Sequence, residues 1–329
     1  MQITISEAKE FLDGIIPKDK VAIIHHNDQD GYASAISISE YLKKIPNISF
    51  FETDLLTGVK PFVEKLNFFD KLIFLDLGQN IIIAELEILK NKEILYIDHH
   101  EKDSAIPENI LEYRTPSYKS ASLSVFLITR KKELLTFLGV IADCGWNYSE
   151  NNNYINDELR KFKIDLDEAK KLGDDFGFVL KLYKEEQDKI IDILKKIEKP
   201  SDFANLEKLI KPMNEELNFF IEDFEKNKEK LGKVYFYYLE PKFCGKVAVV
   251  NQVSYSNMEK ILIFASPKDD LISISARNQS GIIDCAKLLK KATESFENSN
   301  AGGHPKAAGG RIMKKDLEKF KENLREIII

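Results

Sequence analysis

Short apolar runs alternate with segments of helical character through the first ~145 residues. Val21-Ala22-Ile23-Ile24-His25, Ile48 to Phe51, Leu72-Ile73-Phe74-Leu75 and Ile94-Leu95-Tyr96-Ile97 read as strands, while Ala33 to Lys43, Ser120 to Thr129 and Glu133 to Ala142 read as helices. Such alternation builds βαβ units, so the expected class is α/β with a mainly parallel sheet flanked by helices. In open sheets of this kind, ligands gather at the carboxyl ends of the strands. The residues that follow each apolar run therefore matter most.

Four acidic stations fall there. The first is His26-Asn27-Asp28-Gln29-Asp30-Gly31, where alternate residues of a turn can converge and Gly31 permits a tight bend. An ordinary polar loop with an Asx N-cap would look the same. The second is Asp76, at the end of Leu72-Ile73-Phe74-Leu75, where a lone Asp is more often a cap or turn residue. The third is Asp98-His99-His100, directly after Glu93-Ile94-Leu95-Tyr96-Ile97. The fourth is Asp143, after Phe137 to Ala142, where a carboxylate complements a helix C-terminus poorly and suggests a compensating cation. Carboxylates and imidazoles without a thiolate suit Mn²⁺ or Mg²⁺, and imidazole favours manganese. Two such ions ~3.5–4 Å apart polarise a phosphoryl oxygen and activate water. One carboxylate must bridge them, and Asp76, from a central strand, is the expected one.

Composition narrows the classes. The three cysteines, Cys144, Cys244 and Cys285, form no C-x-x-C pair, which argues against a disulfide framework or thiolate zinc site. No apolar run approaches the ~20 residues of a membrane span, and Met1 to Glu10 lacks the layout of a signal peptide. That start reads as a short strand, a Ser6 N-cap and a helix, and a cytoplasmic location is expected. Net charge is −6, against a large nonspecific duplex-DNA surface. From Gly232 to Ile329 there are 16 Lys/Arg and 11 Asp/Glu, hence +5, which leaves −11 for the rest. An acidic part suits a metal site, and a basic part suits a phosphate-bearing substrate.

Asn151-Asn152-Asn153 reads as a loop, and Asp157 to Lys230 as helices interrupted by Pro200 and Pro212. Beyond Gly232, Lys233 to Tyr238, Val247-Ala248-Val249-Val250, Ile261 to Phe264 and Leu271 to Ser275 read as strands, with helices over Ile282 to Ser295 and Phe320 to Ile329. The expected domains are residues 1–185, a helical linker over 186–231, and a smaller α/β domain over 232–329. Within the last, Asn300-Ala301-Gly302-Gly303-His304-Pro305-Lys306-Ala307-Ala308-Gly309-Gly310 can form an anion nest. His304 and Lys306 would add donors, and a helix starting at Ala307-Ala308 would aim its positive end at a phosphate. A plain Gly-rich turn is the alternative.

The ordered set H-x-D-x-D-G, strand-end Asp, D-H-H and Asp143-Cys144-Gly145-Trp146 resembles the DHH phosphoesterase superfamily. The later segment resembles the G-G-H-x-x-A-A-G motif of the DHH-associated C-terminal domain, with Arg277 as its strand-edge arginine. The resemblance is to compact two-domain members, RecJ-like or nanoRNase-like. It implies two Mn²⁺ ions, with Mg²⁺ or Co²⁺ as substitutes. His26 and Asp28 would hold one, and Asp30, His99 and Asp143 the other, with Asp76 between them. His25 competes with His26 for its role. Asp98 would orient its neighbour and His100 would contact the scissile phosphate. Arg277, Gly302, Gly303, His304 and Lys306 would bind substrate across an interdomain cleft holding the active site.

The expected function is a manganese-dependent phosphodiesterase or exonuclease acting on single-stranded RNA or DNA, or on short oligonucleotides. Trp146 would stack on bases or serve as packing. Two alternatives stand beside this reading. One is a small-nucleotide phosphatase or cyclic-dinucleotide phosphodiesterase. The other is a replication-complex scaffold, and a replication or repair protein is an expected partner in either role.

Overall fold

The computed structural model describes residues 1–53, 58–78, 89, 91–100, 107 and 110–327. The chain divides into two compact units, Met1–Glu207 and Lys208–Ile329. Among the described residues no helix is long and apolar enough to cross a membrane.

The first unit is built on five strands: β1 (Val21–His26), β2 (Ile48–Thr53), β3 (Lys71–Leu75), β4 (Glu93–Asp98) and β5 (Ile110–Arg114). They form one sheet in the order β2-β1-β3-β4-β5, with every pair parallel. Successive side chains point to opposite faces, and both faces are covered. Val21, Ile23, Ile73, Leu75, Leu95 and Ile97 face one core, and Ala22, Ile24, Leu72, Phe74, Ile94 and Tyr96 face the other. Double burial is why these strands are unbroken apolar runs rather than alternating ones. The first core is closed by helices Ile5–Asp13, Gln29–Tyr41 and Ala121–Thr129. A helical core, formed by Phe137, Leu138, Phe176 and Ile190 among others, adds helices Glu133–Ala142, Leu166–Leu182 and Gln187–Leu194. The strand order reverses between β1 and β3, which opens a crevice at their carboxyl ends.

Two local expectations in this unit need correction. Thr4, not Ser6, caps the first helix. Its hydroxyl accepts from the Glu7 amide at 3.3 Å while the Glu7 carboxylate accepts from the Thr4 amide at 2.7 Å, a reciprocal capping box. Asn152 and Asn153 do not sit in a loop but open the helix Asn152–Phe162. The Asn151 amide donates to the carbonyls of Tyr118 and Gly145, at 2.7 and 2.9 Å, so its side chain ties two connections together.

The second unit carries β6 (Glu229–Leu231), β7 (Val234–Tyr238), β8 (Ile261–Lys268), β9 (Leu271–Arg277), β10 (Asn300–Gly303) and β11 (Ala307–Met313) in one sheet, ordered β10-β11-β9-β8-β7-β6. Only β7 and β8 pair in parallel. Val247 to Val250 is helical, inside Lys246–Tyr255, and not a strand. Parallel β7 and β8 need a crossover between them, and that demand outweighs the strand preference of three valines. Ala307-Ala308 opens a strand rather than a helix. β10 and β11 form a hairpin in which the His304 amide donates to the Ala307 carbonyl at 2.8 Å. Helices Cys285–Thr293 and Leu317–Ile327 cover one face of the sheet over Ile272, Ile274 and Ala276. Ile328 and Ile329, expected in the last helix, lie outside the described residues.

Candidate metal centre

β1 ends in two adjacent histidines, and strand alternation sends them to opposite sides. His25 is fully buried, edge-on to Tyr32 with ring centroids 4.5 Å apart. Its Nδ1 lies 2.8 Å from the His26 carbonyl and its Nε2 3.2 Å from the Gln187 side-chain amide. His26 instead reaches the crevice, with Nδ1 2.7 Å from Asp28 Oδ2 and 3.7 Å from Asp76 Oδ2. The geometry therefore puts His26, and not His25, among the carboxylates.

Burial pulls the His25 imidazole down to about 4. Unfolding releases it to its ordinary value near 6.5, so the unfolded state binds more protons between those limits. The stability His25 contributes is fully present above pH 6.5 and is lost as pH falls towards 4. His25→Gln is expected to remove about 3 kcal/mol of that loss between pH 7 and 4. Urea unfolding of both proteins across this range checks it, and parallel pH profiles would refute it.

The remaining candidate residues are placed by helix starts and strand ends. Asp28 is the N-cap of helix Gln29–Tyr41, where its Oδ1 accepts from the Gly31 amide at 3.0 Å and its Oδ2 faces His26. Asp30, in the first turn, is buried and accepts from the amides of Ala121 and Ser122 at 2.7 and 2.9 Å. Those amides open helix Ala121–Thr129, whose N-terminal dipole favours the carboxylate. Asp76 follows β3 with φ 62°, a left-handed conformation that Asp tolerates better than most residues. His99 Nε2 lies 3.3 Å from Asp76 Oδ1, 3.4 Å from Asp143 Oδ2 and 3.9 Å from Asp30 Oδ2. Within this unit the described residues form three ligand-type groups: Asp76-Asp98-His100, and the pair His26-Asp28-Asp76 and Asp30-His99-Asp143. Asp76 touches both through its two oxygens.

The electrostatics of this crevice call for cations. Burial disfavours a charged His99, yet Asp76, Asp143 and Asp30 outweigh it and raise its pKa well above the usual range. His26 is raised in the same way, against burial, by Asp28 and Asp76. Burial, and then Asp76, push Asp30 up to about 6. Burial, and then Asp30, hold Asp143 well above the carboxylate range. Asp76 moves the other way: burial is outweighed by the His26 and His99 imidazoles beside its carboxylate. Three buried atoms at the centre, His26 Nδ1, Asp76 Oδ1 and Asp143 Oδ2, have no hydrogen-bond partner of acceptable geometry among the described residues. The His99 Nδ1 contact with the Ser117 carbonyl, 3.2 Å, turns Nε2 inward as a metal-ligating histidine requires. Four carboxylates also balance the charge of two divalent cations. The donor set thus fits a dinuclear site for hard to borderline metals.

Beneath this layer sequence reasoning found Asp98 but missed Arg114 and Glu112. Asp98 Oδ1 lies 2.8 Å from His100 Nδ1, and Asp98 Oδ2 lies 2.8 Å from an Arg114 guanidinium nitrogen. Arg114 also holds the His100 carbonyl and, at 2.6 Å, Glu112. Burial would raise Asp98, but His100 and Arg114 outweigh it and hold the carboxyl below its ordinary value. The visible signal was alternation on β5, where Glu112 and Arg114 place two charges on one face of a short strand. Gly139 is the other omission. A Cβ there would sit 2.6 Å from Ser122 Oγ and 3.1 Å from Asp30 Oδ1. Only glycine lets helix Glu133–Ala142 approach and present Asp143.

Trp146 packs on the helical core with the Lys170 ammonium 4.1 Å from its ring centroid. The other predicted substrate residues lie in the second unit. Arg277, at the end of β9, donates from Nε to Asn251 Oδ1 and from an Nη to the Ala276 carbonyl, both at 2.8 Å. Gly303 has φ 127°, and a Cβ there would meet the Ala307 carbonyl at 2.7 Å. A Cβ on Gly302 would meet nothing within 4 Å. His304, Pro305 and Lys306 form the turn between β10 and β11. The Lys306 carbonyl accepts from the Asn278 amide at 3.0 Å.

Both units match known families, and the fold matches solved structures. Residues 20–145 match the DHH family N-terminal domain, and residues 241–329 match the DHHA1 domain. Among solved structures, exonuclease RecJ bound to manganese aligns over 98% of this chain and 94% of its own at 16% identity, TM-score 0.68. RecJ from Thermus thermophilus in complex with Mn²⁺ aligns over 98% of this chain and 54% of its own at 15% identity, TM-score 0.70. CDC45 from Entamoeba histolytica aligns over 100% of both chains at 10% identity, TM-score 0.60. No curated protein matches the sequence. With the two domains present in order on a RecJ-like α/β fold, the chain belongs to the DHH superfamily and carries a C-terminal DHHA1 domain.

Proposed function

We propose that this protein is a divalent-metal-dependent phosphodiesterase that removes nucleotides from single-stranded nucleic acid or degrades short oligonucleotides. The observation that carries the reading is Asp76, buried to 2% exposure, with one oxygen towards His26 and the other towards His99. In this reading His26 and Asp28 would hold one ion, Asp30, His99 and Asp143 the second, and Asp76 would serve both. The mixed imidazole and carboxylate set favours Mn²⁺, with Mg²⁺ or Co²⁺ as substitutes. When bound, such a pair lowers the pKa of water and offsets charge on a phosphoryl oxygen.

The chain's own groups supply the rest. Asp98, kept ionised by His100 and Arg114, accepts the His100 Nδ1 proton. That contact fixes the imidazole tautomer, so that Nε2 can hold or pass a proton at a phosphate oxygen. Asp30 is anchored by two amides and cannot swing away as charge changes. Arg277, Gly302, Gly303, His304 and Lys306 are proposed to hold the nucleotide portion of the substrate.

A manganese-supplemented digest of end-labelled RNA and DNA ladders, from dinucleotides upward, tests the function. Stepwise shortening from one end is expected. Labelling each end in turn gives polarity, and the ladder gives length preference. Absence of cleavage on every ladder, with folded protein, would leave the scaffold role that the likeness to CDC45 brings to mind.

A further inference from the structure

Tyr96 stands inside β4 among apolar neighbours and is fully buried. It pairs across the sheet with Phe74, and the two rings stack with centroids 6.2 Å apart in the core shared with Leu72 and Ile94. The ring alone would fill that space, so packing does not call for the hydroxyl. A buried hydroxyl needs a hydrogen-bond partner. That partner is the Gly78 carbonyl, which can only accept, so the phenol proton goes there.

Gly78 lies two residues beyond Asp76, in the bend that follows β3. Asp76 and Gly78 both have φ 62°, so two of three consecutive residues are left-handed and one of them is not glycine. Such a backbone persists only where its surroundings hold it. β4 supplies the hold at two points. The Asp76 amide donates to the Ile97 carbonyl at 3.0 Å, and the Tyr96 hydroxyl donates to the Gly78 carbonyl. The carboxylate that lies 3.7 Å from His26 and 3.3 Å from His99 is thus aimed by a bend pinned at both ends.

A hydroxyl has a single proton, and a second acceptor lies within reach. Asp98 Oδ2 is 3.4 Å from the Tyr96 hydroxyl. A carboxylate is the stronger acceptor and would draw the proton from a carbonyl if nothing else served it. Both Asp98 oxygens are served more closely. Arg114 Nη1 lies 2.8 Å from Oδ2, and His100 Nδ1 lies 2.8 Å from Oδ1. Arg114, whose guanidinium carbon is 5.8 Å from the Tyr96 ring centroid, therefore leaves the phenol proton to Gly78.

We propose that Tyr96 is a positioning residue for Asp76, and that Arg114 keeps the Tyr96 proton on that task. The proposal rests on the reading of Asp76 as the carboxylate shared by two ions, and it names what holds that carboxylate in place. A hydroxyl that donates only to a backbone carbonyl then controls metal affinity.

Calorimetric titration of the full-length, EDTA-treated protein with Mn²⁺ tests this without substrate or turnover. Tyr96→Phe is expected to weaken Mn²⁺ binding about tenfold, the lower end of the effect of removing a group that orients a metal ligand. Thr129→Val is the control. It removes another buried hydroxyl, bonded to the Val125 carbonyl at 3.0 Å, at the opposite end of helix Ala121–Thr129 from the amide that holds Asp30. It is expected to lower Tm about as much as Tyr96→Phe and to leave Mn²⁺ binding unchanged. Arg114→Gln is expected to weaken Mn²⁺ binding as well. Adding Tyr96→Phe to it should weaken binding little further, because the proton has already left Gly78. Wild-type affinity in Tyr96→Phe, or an equal loss in Thr129→Val, would overturn the proposal. So would unchanged affinity in Arg114→Gln, and losses that multiply in the double variant would overturn the part given to Arg114. Weakened Mn²⁺ binding in Tyr96→Phe with no cleavage of any ladder by the wild type would bring down the hydrolase reading alone and leave the role of Tyr96 standing.

Discussion

Asp76→Asn is expected to reduce metal-supported hydrolysis on the order of 10³-fold, the scale seen when one preorganised charge-stabilising group is removed. The substitution is chosen to spare the fold. Asn shares the tolerance of Asp for the left-handed conformation at φ 62°, and it keeps one oxygen. What it removes is the second anionic oxygen, and with it the reach towards both His26 and His99. Metal binding measured alongside activity should fall too. Full activity at saturating Mn²⁺ would show that the two groups of ligands do not depend on Asp76.

His100→Ala should behave differently. His100 is anchored by Asp98 at 2.8 Å and lies 3.7 Å from Asp76, outside the His26-Asp28-Asp76 and Asp30-His99-Asp143 groups. Its loss is expected to lower kcat by about 10²–10⁴, the range for a positioned proton-transfer group, with metal content unchanged. Steady-state kinetics with parallel metal analysis separates the outcomes. A rise in KM alone would make His100 a binding group, and loss of metal would make it a ligand.

The proposed ligand residues were legible because each stands where an apolar strand or helix stops, and burial on both faces made those stops visible. His26 and His25 could not be separated by spacing. Strand alternation separated them once β1 was shown to end at His26. Arg114 and Glu112 were hidden because β5 carries charges and lacks the apolar signal of its neighbours; their meaning lies in the pairing of β5 with β4, where Asp98 sits opposite Arg114. The second unit was read less well. Val247 to Val250 looked like a strand because valine prefers one, but a crossover was needed there. Ala307-Ala308 looked like a helix start, although the glycines around them serve a hairpin.

The central claim is that two metal ions share Asp76. Electron paramagnetic resonance of the purified chain titrated with Mn²⁺ tests it directly, with no substrate or turnover involved. The account predicts two ions per chain and an exchange-coupled spectrum that Asp76→Asn abolishes, because a shared carboxylate places the ions ~3.5–4 Å apart. A single ion with an isolated Mn²⁺ spectrum, unchanged by Asp76→Asn, would contradict it.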